Sequence, residues 1–402
     1  MPLIQPFRAL RPVPARAAEV LAPPYDVLSS AEARARAKGK PFSFLHISKP
    51  EIDLAPDVNP YDAAVYAKAA ENLKRMTDAG VLMRDDTPYY YVYRLTWRGH
   101  TQIGLACVAS LADYASNRIR KHELTTPVKE DDRVRQIEAV NAQTGPVMIA
   151  YPERPAIDRM LEAMTRADAN VDVTTDDGVR HQMWVVADAA AIDKLTEAFD
   201  ALPAIYIADG HHRSAAAARV AASRESDGGF LAVLFPAREM TILDYNRVVT
   251  DLNGRTPAQF LAELGKGFTV QVSAKPVRPA APQEFVMYLD GRWYRLTLRP
   301  ELVPSDPIGR LPVTMLARNV IEPLLGIANP RTDKRIDFIG GARGLEGLAA
   351  RVDSGDMAVA FALYPTQMDD LMAVADAGEI MPPKSTWFEP KLADGMVSYV
   401  LD

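Results

Sequence analysis

Apolar positions along the 402-residue chain follow two rhythms, one of period two and one of period 3.6. YYYVYRLTWRGHTQIGLACVASL (89–111) is dense in aromatic and β-branched residues and is broken by Arg98-Gly99, which predicts a β-hairpin. EFVMYLDGRWYRLTLR (284–299) repeats that grammar around Asp290-Gly291, a strong turn signal. YDAAVYAKAAENLKRMTDAG (61–80) has helical spacing and a stop at Gly80, and SSAEARARAKGK (29–40) reads as a short helix capped by Ser29 or Ser30. The stretch from 111 to 147 carries a charged loop and then a helix expected to open near Asp131 or Asp132, where two carboxylates favour the macrodipole.

Further on the rhythms alternate: HQMWVVAD as strand, AAIDKLTEAFDAL as helix, PAIYIADG as strand, HHRSAAAARVAASRE as helix. GFLAVLFP and TILDYNRVV add strands, TPAQFLAELGKG a helix, and MAVAFALYP with TQMDDLMAVADAG a late strand and helix. Such a succession predicts an α/β fold, a mixed sheet with flanking helices and a second α/β portion. A boundary is expected near 255, dividing 1–255 from 256–402, and one large domain remains compatible with the length. Proline-rich segments in the opening third (PFRALRPVPAR, LAPPYDV, EIDLAPDVNPYD) read as extended loops.

Composition narrows the function classes. Hydrophobic residues at 48% and charged residues at 24% match a globular protein. No apolar run approaches the roughly 20 residues of a spanning helix, and the N-terminus has no secretory h-region, so the expected location is cytoplasmic. Forty-six basic against 52 acidic residues give a net charge of −6, which disfavours a general nucleic-acid surface. The single cysteine, Cys107, sits in IGLACVASL and reads as packing. One cysteine and no HExxH pattern disfavour zinc, and a dinucleotide fingerprint is absent.

The candidate chemistry centres on YIADGHHRSAAAA (206–218), one of the few places where the six histidines cluster. A strand that enters Asp209-Gly210 and leaves as an alanine-rich helix aims backbone N–H groups at whatever lies above the strand end. Gly210, His211, His212, Arg213 and Ser214 form a phosphate-binding turn on this reading, and Asp209 can hold a Mg²⁺ ion bridging to phosphate. The plainer account is a capped helix with one packed histidine and a solvated arginine. RIRKHELTTP (118–127) gathers cations with Glu123 and His122, a combination suited to phosphoryl transfer to an alcohol, or simply a solvated loop. Asp26, stiffened by Pro23-Pro24, is a candidate for a metal or a substrate amine. Lys384, Ser385 and Thr386 offer anion donors without the glycines of a Walker loop.

Several blocks resemble the DUF1015 family: APPYDVLS (22–29), FLHIS (44–48), IRKHELTTP (119–127), DDR (131–133), ADGHHR (208–213), NRVV (246–249), DFIGG (337–341) and MPPKSTWFEPKL (381–392). DGHHR before a small-residue helix also resembles the phosphate motif of the ParB/sulfiredoxin-like superfamily, which includes nucleotide-using free serine kinases. The resemblance implies a ParB/sulfiredoxin-like core and a Mg²⁺-dependent phosphotransferase that uses ATP or ADP on a small hydroxyl metabolite, free L-serine first. It further implies that an acidic residue upstream of DGHHR activates the acceptor, with Glu123 the first choice and His122 the second, while His212 and Arg213 offset phosphoryl charge. A phosphatase at the same site and a non-catalytic nucleotide-binding, partition-type module stay open. A sulfiredoxin-like repair enzyme would need a cysteine where this chain has His212. The family often has an aromatic residue after the arginine, as in HHRYE, where this chain has Ser214-Ala215.

Overall fold

The computed structural model describes residues 1–226 and 228–401. The chain forms two compact units, Met1–Met240 together with Pro390–Asp402, and Thr241–Glu389. Both are α/β.

The first unit is built on a nine-stranded mixed sheet. Its path runs Ile119–Arg120, Ile205–Asp209, Val147–Tyr151, Gly229–Pro236, His100–Ser110, Tyr90–Trp97, Arg180–Val186, Val171–Thr174, and Ile4–Gln5 pairs with His100–Ser110 off that path. Two neighbouring pairs are parallel, Ile119–Arg120 with Ile205–Asp209 and Val147–Tyr151 with Gly229–Pro236. The central strands are buried on both faces, which is why VMIAY, IYIAD and GFLAVLFP read as continuous apolar runs rather than alternations. Helices Pro155–Met164 and Ala189–Asp200 cover one part of the sheet through Ile157, Leu161, Leu195 and Phe199. Cys107 lies within that core, fully buried, and its thiol is pushed far above the ordinary range by desolvation.

A separate antiparallel sheet joins Leu82–Arg84, Ala9–Pro12, Ser398–Val400 and Ala142–Gln143. It ties the segment after Pro390 into the first unit. A second core surrounds it, where the helix Ala63–Asp78 buries Val65, Ala69, Leu73 and Met76.

Local signals account for most of these elements. Arg98 and Gly99 both take positive φ in a two-residue loop between Tyr90–Trp97 and His100–Ser110. Ser29 caps Ser30–Ala37 in a capping box with Glu32. The helix that follows the charged loop departs from expectation, for it spans Pro127–Val140 with Thr126 at its N-cap. Proline at the first helical position has no N–H to lose, so the helix opens one turn ahead of Asp131 and Asp132. Those carboxylates therefore sit inside the helix and make specific pairs, Asp131 with Arg219 and Asp132 with Arg133.

In the second unit a six-stranded antiparallel sheet runs Phe268–Ser273, Arg292–Leu298, Glu284–Leu289, Val359–Leu363, Tyr245–Val249, Ile336–Gly340. The Asp290-Gly291 hairpin forms as expected, with both residues at positive φ. TILDYNRVV, read as one strand, is two: Thr241–Leu243 pairs with Trp387–Glu389, and Tyr245–Val249 enters the main sheet. Asp244 makes the break, its carboxylate accepting from Asn246 and Arg278 while its carbonyl accepts from the Gly341 amide.

Candidate functional site

The strand Ile205–Asp209 ends at Asp209, and Gly210 turns the chain at φ +103°, where L side chains are strained. The fit is also steric, since a Cβ on Gly210 would lie 3.3 Å from the Val147 Cα. The helix His211–Ser223 follows at once. The amides of Arg213 and Ser214 both donate to the Gly210 carbonyl, so intrahelical bonding starts there and the His211 and His212 amides lie ahead of it. Ala216, Ala217 and Val220 are buried, and Ala216 and Val220 pack with Ile137 of the helix Pro127–Val140. Ser214 faces inward, fully buried, donating its hydroxyl to the His211 carbonyl.

Helical geometry points His211 one way and His212 and Arg213 another. His211 is buried against His122, the rings 4.5 Å apart and nearly perpendicular at 87°. The His122 amide donates to His211 Nε2 over 3.4 Å, and His211 Nδ1 lies 3.8 Å from a Glu123 carboxylate oxygen. His122 is 2% exposed, and its Nδ1 is buried without a hydrogen-bond partner. Burial pushes His122 down to about 4 and His211 well below the usual imidazole range, so both rings are neutral at pH 7.

The other side of the turn is ionic. Asp209 pairs with Lys391 at 2.9 Å. Burial alone would raise its carboxyl, but Lys391 and Arg213 outweigh burial and hold it well below the ordinary range. Arg213 donates from Nη1 to the Pro146 carbonyl at 2.8 Å and from Nη2 to Asp26 at 2.7 Å. The Tyr25 ring has the Arg133 guanidinium 3.9 Å and the Arg213 guanidinium 5.5 Å from its centroid. Arg133 is fixed in turn by Asp132 at 2.6 Å, which also accepts from the Tyr66 hydroxyl at 2.8 Å. Asp394 accepts the Tyr25 amide at 3.1 Å, and burial pushes its carboxyl up to about 7 against the pull of Arg213.

These groups border a cavity of about 290 Å³ whose wall includes Tyr25, Asp26, Lys49, Lys129, Arg133 and His212. A narrower void of about 30 Å³ shares Tyr25 and Arg133 and reaches Arg213 and Asp394. His212 Nε2 accepts the Thr126 amide at 3.1 Å, which leaves the ring proton on Nδ1. Burial first and Lys129 second lower the His212 pKa, keeping it a neutral donor at pH 7. The wall of the larger cavity therefore presents one guanidinium, two ammonium groups, an imidazole N–H and three carboxylates, Asp26, Glu51 and Asp132, while the Arg213 guanidinium lines the smaller void.

The sequence candidates divide accordingly. Asp26 and His212 line the larger cavity and Arg213 the smaller void, whereas His122, His211 and Glu123 form a cluster of their own. Asp209 and Asp26 are each held by a cation through Oδ2, so a divalent ion at either would meet the positive charge of Lys391 or Arg213. Lys384, Ser385 and Thr386 belong to the second unit, where the Lys384 ammonium stands 5.6 Å from the Tyr245 ring centroid and Ser385 donates to the Pro382 carbonyl. Sequence reasoning passed over Arg133, Lys391 and Asp394. Two of these lay inside the resembling blocks DDR and MPPKSTWFEPKL, so the signal was present although no local rule assigned them a role.

With this geometry in view, comparison with known proteins decides the family. The profile described as "Protein of unknown function (DUF1015)" matches residues 4–314. The chain belongs to the DUF1015 family. No curated protein matches it. Among solved structures, a free serine kinase in complex with AMP is similar at 11% identity over 68% of this chain and 84% of that one, with a TM-score of 0.34. A conserved hypothetical protein from Pyrococcus furiosus follows at 11% identity, 70% and 91% coverage and 0.33. SbnI with a C-terminal truncation, from Staphylococcus aureus, stands at 12% identity, 73% and 86% coverage and 0.38. At this distance substrate and activity have to be argued from the residues of the DUF1015 chain itself. Among its described residues no helix is long and apolar enough to cross a membrane.

Proposed function

We propose that the cavity beside His212 binds a nucleotide by its phosphates and passes one phosphoryl group to a small hydroxyl metabolite, free L-serine first among the acceptors. The observation that carries this reading is the gathering of cations about Tyr25 and His212: Arg133 and Arg213 flank Tyr25, and Lys49 and Lys129 line the His212 cavity, with Glu51, Asp132 and Asp26 paired to Lys49, Arg133 and Arg213. Guanidinium forks and an N–H donor suit the equatorial oxygens of a transferring phosphoryl group, where charge has to be spread rather than bonds remade by the protein. Resemblance to serine kinases of the wider superfamily supports the choice of acceptor.

In the transfer, the acceptor oxygen forms a bond to phosphorus as the bond to the departing nucleotide oxygen breaks. The hydroxyl proton goes to Asp26, whose side chain is 39% exposed on the cavity wall, against 14% for Asp132 and 7% for Glu51. Glu123 stands with the two buried imidazoles rather than on that wall. Mg²⁺ requires several oxygen ligands, and Asp209 and Asp26 already hold an ammonium and a guanidinium, so these residues fit it poorly. Arg213, Arg133 and His212 supply the positive charge and donors in this scheme.

The test is ³¹P NMR of the purified protein with ATP, and separately with ADP, incubated with L-serine or with phosphoserine, alongside Arg133→Ala and His212→Ala. Serine-dependent phosphoserine, lost in both variants, is the expected result. Nucleotide binding without turnover under every condition would overturn the kinase reading in favour of a binding module, and release of free phosphate from phosphoserine would make the site a phosphatase.

A further inference from the structure

We infer that His122, His211 and Glu123 form a binding site for a transition-metal ion of the zinc class, separate from the phosphate-binding cavity. Each residue offers one ligand atom, and the three atoms lie within 4.8 Å of one another. The donor set is two imidazole nitrogens and one carboxylate oxygen, the chemistry preferred by Zn²⁺ and its first-row neighbours over Mg²⁺.

A second observation is independent of that convergence. A buried polar atom ordinarily has a partner, because leaving it without one forfeits its hydration with no return. His122 Nδ1 is such an orphan, on a side chain 2% exposed and packed edge to face against His211. A metal ion would complete it.

Geometry sets the adjustment required. Tetrahedral ligands at metal distances of about 2.0–2.1 Å stand about 3.4 Å apart. His211 Nδ1 and Glu123 Oε2 are 3.8 Å apart already. The Glu123 side chain is 46% exposed and the His211 side chain 3%, so the carboxylate is the ligand with more room to adjust. Coordination at His211 Nδ1 moves that ring's proton to Nε2 and gives up the 3.4 Å contact from the His122 amide, a bond already near the limit of hydrogen bonding. Three protein ligands leave a fourth position for water or a substrate oxygen, as catalytic zinc sites do. The position of the site is also constrained, for its two ligand loops meet where Ile119–Arg120 runs parallel to Ile205–Asp209 and both strands end on the same side.

The test uses the full chain, stripped of metal by a chelator and titrated with Zn²⁺ alone against a chromophoric competitor, with Co²⁺ absorption as a second readout. One saturable equivalent of Zn²⁺ and the intense visible bands of a four-coordinate Co²⁺ ion are expected. His211→Ala and His122→Ala should each weaken Zn²⁺ binding by at least about 100-fold, and Glu123→Gln by about 10-fold or more. His46→Ala, on a histidine paired with Asp53 elsewhere, should change nothing. Because Glu123 is half exposed, its variant keeps the fold even if the buried histidine variants do not. Unsaturable uptake by the parent chain, or equal affinity in parent and Glu123→Gln, overturns the site. No nucleotide is present in these titrations, so their failure would leave the phosphoryl-transfer reading standing, and the reverse also holds.

Discussion

Five consecutive residues, Asp209 to Arg213, serve two neighbourhoods of opposite character. On one side His211 meets His122 with the Glu123 carboxylate 3.8 Å away, and burial keeps both rings neutral. On the other, Asp209, Arg213, Asp26, Asp394 and Lys391 are packed as alternating charges, and one carboxylate there takes on a pKa near 7. The helix period accounts for the division, since adjacent residues on a helix point about 100° apart. Burial acts on both sides, and its outcome is set by how strongly the partner charges oppose it: Lys391 and Arg213 overcome it at Asp209, while it prevails at His122, His211 and Asp394. The teaching is that the same desolvation yields nitrogen ligands in one place and a clamped ionic corner in the other.

The sharpest way to break this comparison is to take away the central cation. Arg213→Ala leaves the half-exposed Asp26 and the buried Asp394 without their guanidinium, and with Asp26 open to solvent the change should cost about 2–4 kcal/mol, below the full loss of a wholly buried pair. Urea denaturation should show that loss; a change under about 1 kcal/mol would mean that the corner is solvated and not ionic. Next in size is Gly210→Ala, which sets a Cβ 3.3 Å from Val147 at a φ of +103° and should cost about 1–3 kcal/mol by the same measurement.

Acid titration tests both sides at once, with opposite signs. His122 has a folded pKa near 4, below that of the unfolded chain, so folding excludes a proton and stability falls as pH drops from about 6.5 towards 4. Asp394 has a folded pKa near 7, above the unfolded value, so folding retains a proton and stability falls as pH rises from about 4 to 7. Each slope approaches roughly 1.4 kcal/mol per pH unit. Asp394→Asn should therefore gain on the parent chain as pH rises through that window, and His122→Asn should gain on it as pH falls. Parallel stability curves for either variant would remove that group from the account. The smallest expected effect is that of His212→Ala on stability, under about 1 kcal/mol for a half-buried ring bonded to the Thr126 amide and hydroxyl, while phosphoryl transfer is lost.

Much of this was legible in the chain wherever the cause was local. Arg98-Gly99 and Asp290-Gly291 announced their hairpins because positive φ is a property of two residues, and the Asp209-Gly210 junction announced its strand and helix for a similar reason. The start of Pro127–Val140 was missed because acidic residues looked like a first turn, whereas Pro127 with Thr126 was the stronger signal. The break at Asp244 was invisible because its partners, Arg278 and Gly341, lie far along the chain. The same holds for the site. His211, His212 and Arg213 stood out as a run, but the Lys391 that holds Asp209 comes 182 residues later. Which carboxylate is clamped and which keeps its proton is a property of those distant partners.

The pairing of Thr241–Leu243 with Trp387–Glu389 has a consequence for the order of assembly. It zips together the two ends of the second unit, so that Met240 and Pro390 emerge side by side from one short ladder. While that stretch is a flexible loop, bringing its ends together costs roughly 4 kcal/mol of chain entropy. Once the ladder has formed, the cost has been met by the insert's own strands, and the segment carrying Lys391 and Asp394 is delivered to the first unit as though it followed Met240 directly. The clamp on Asp209 thus draws on a ladder that contributes no side chain to it.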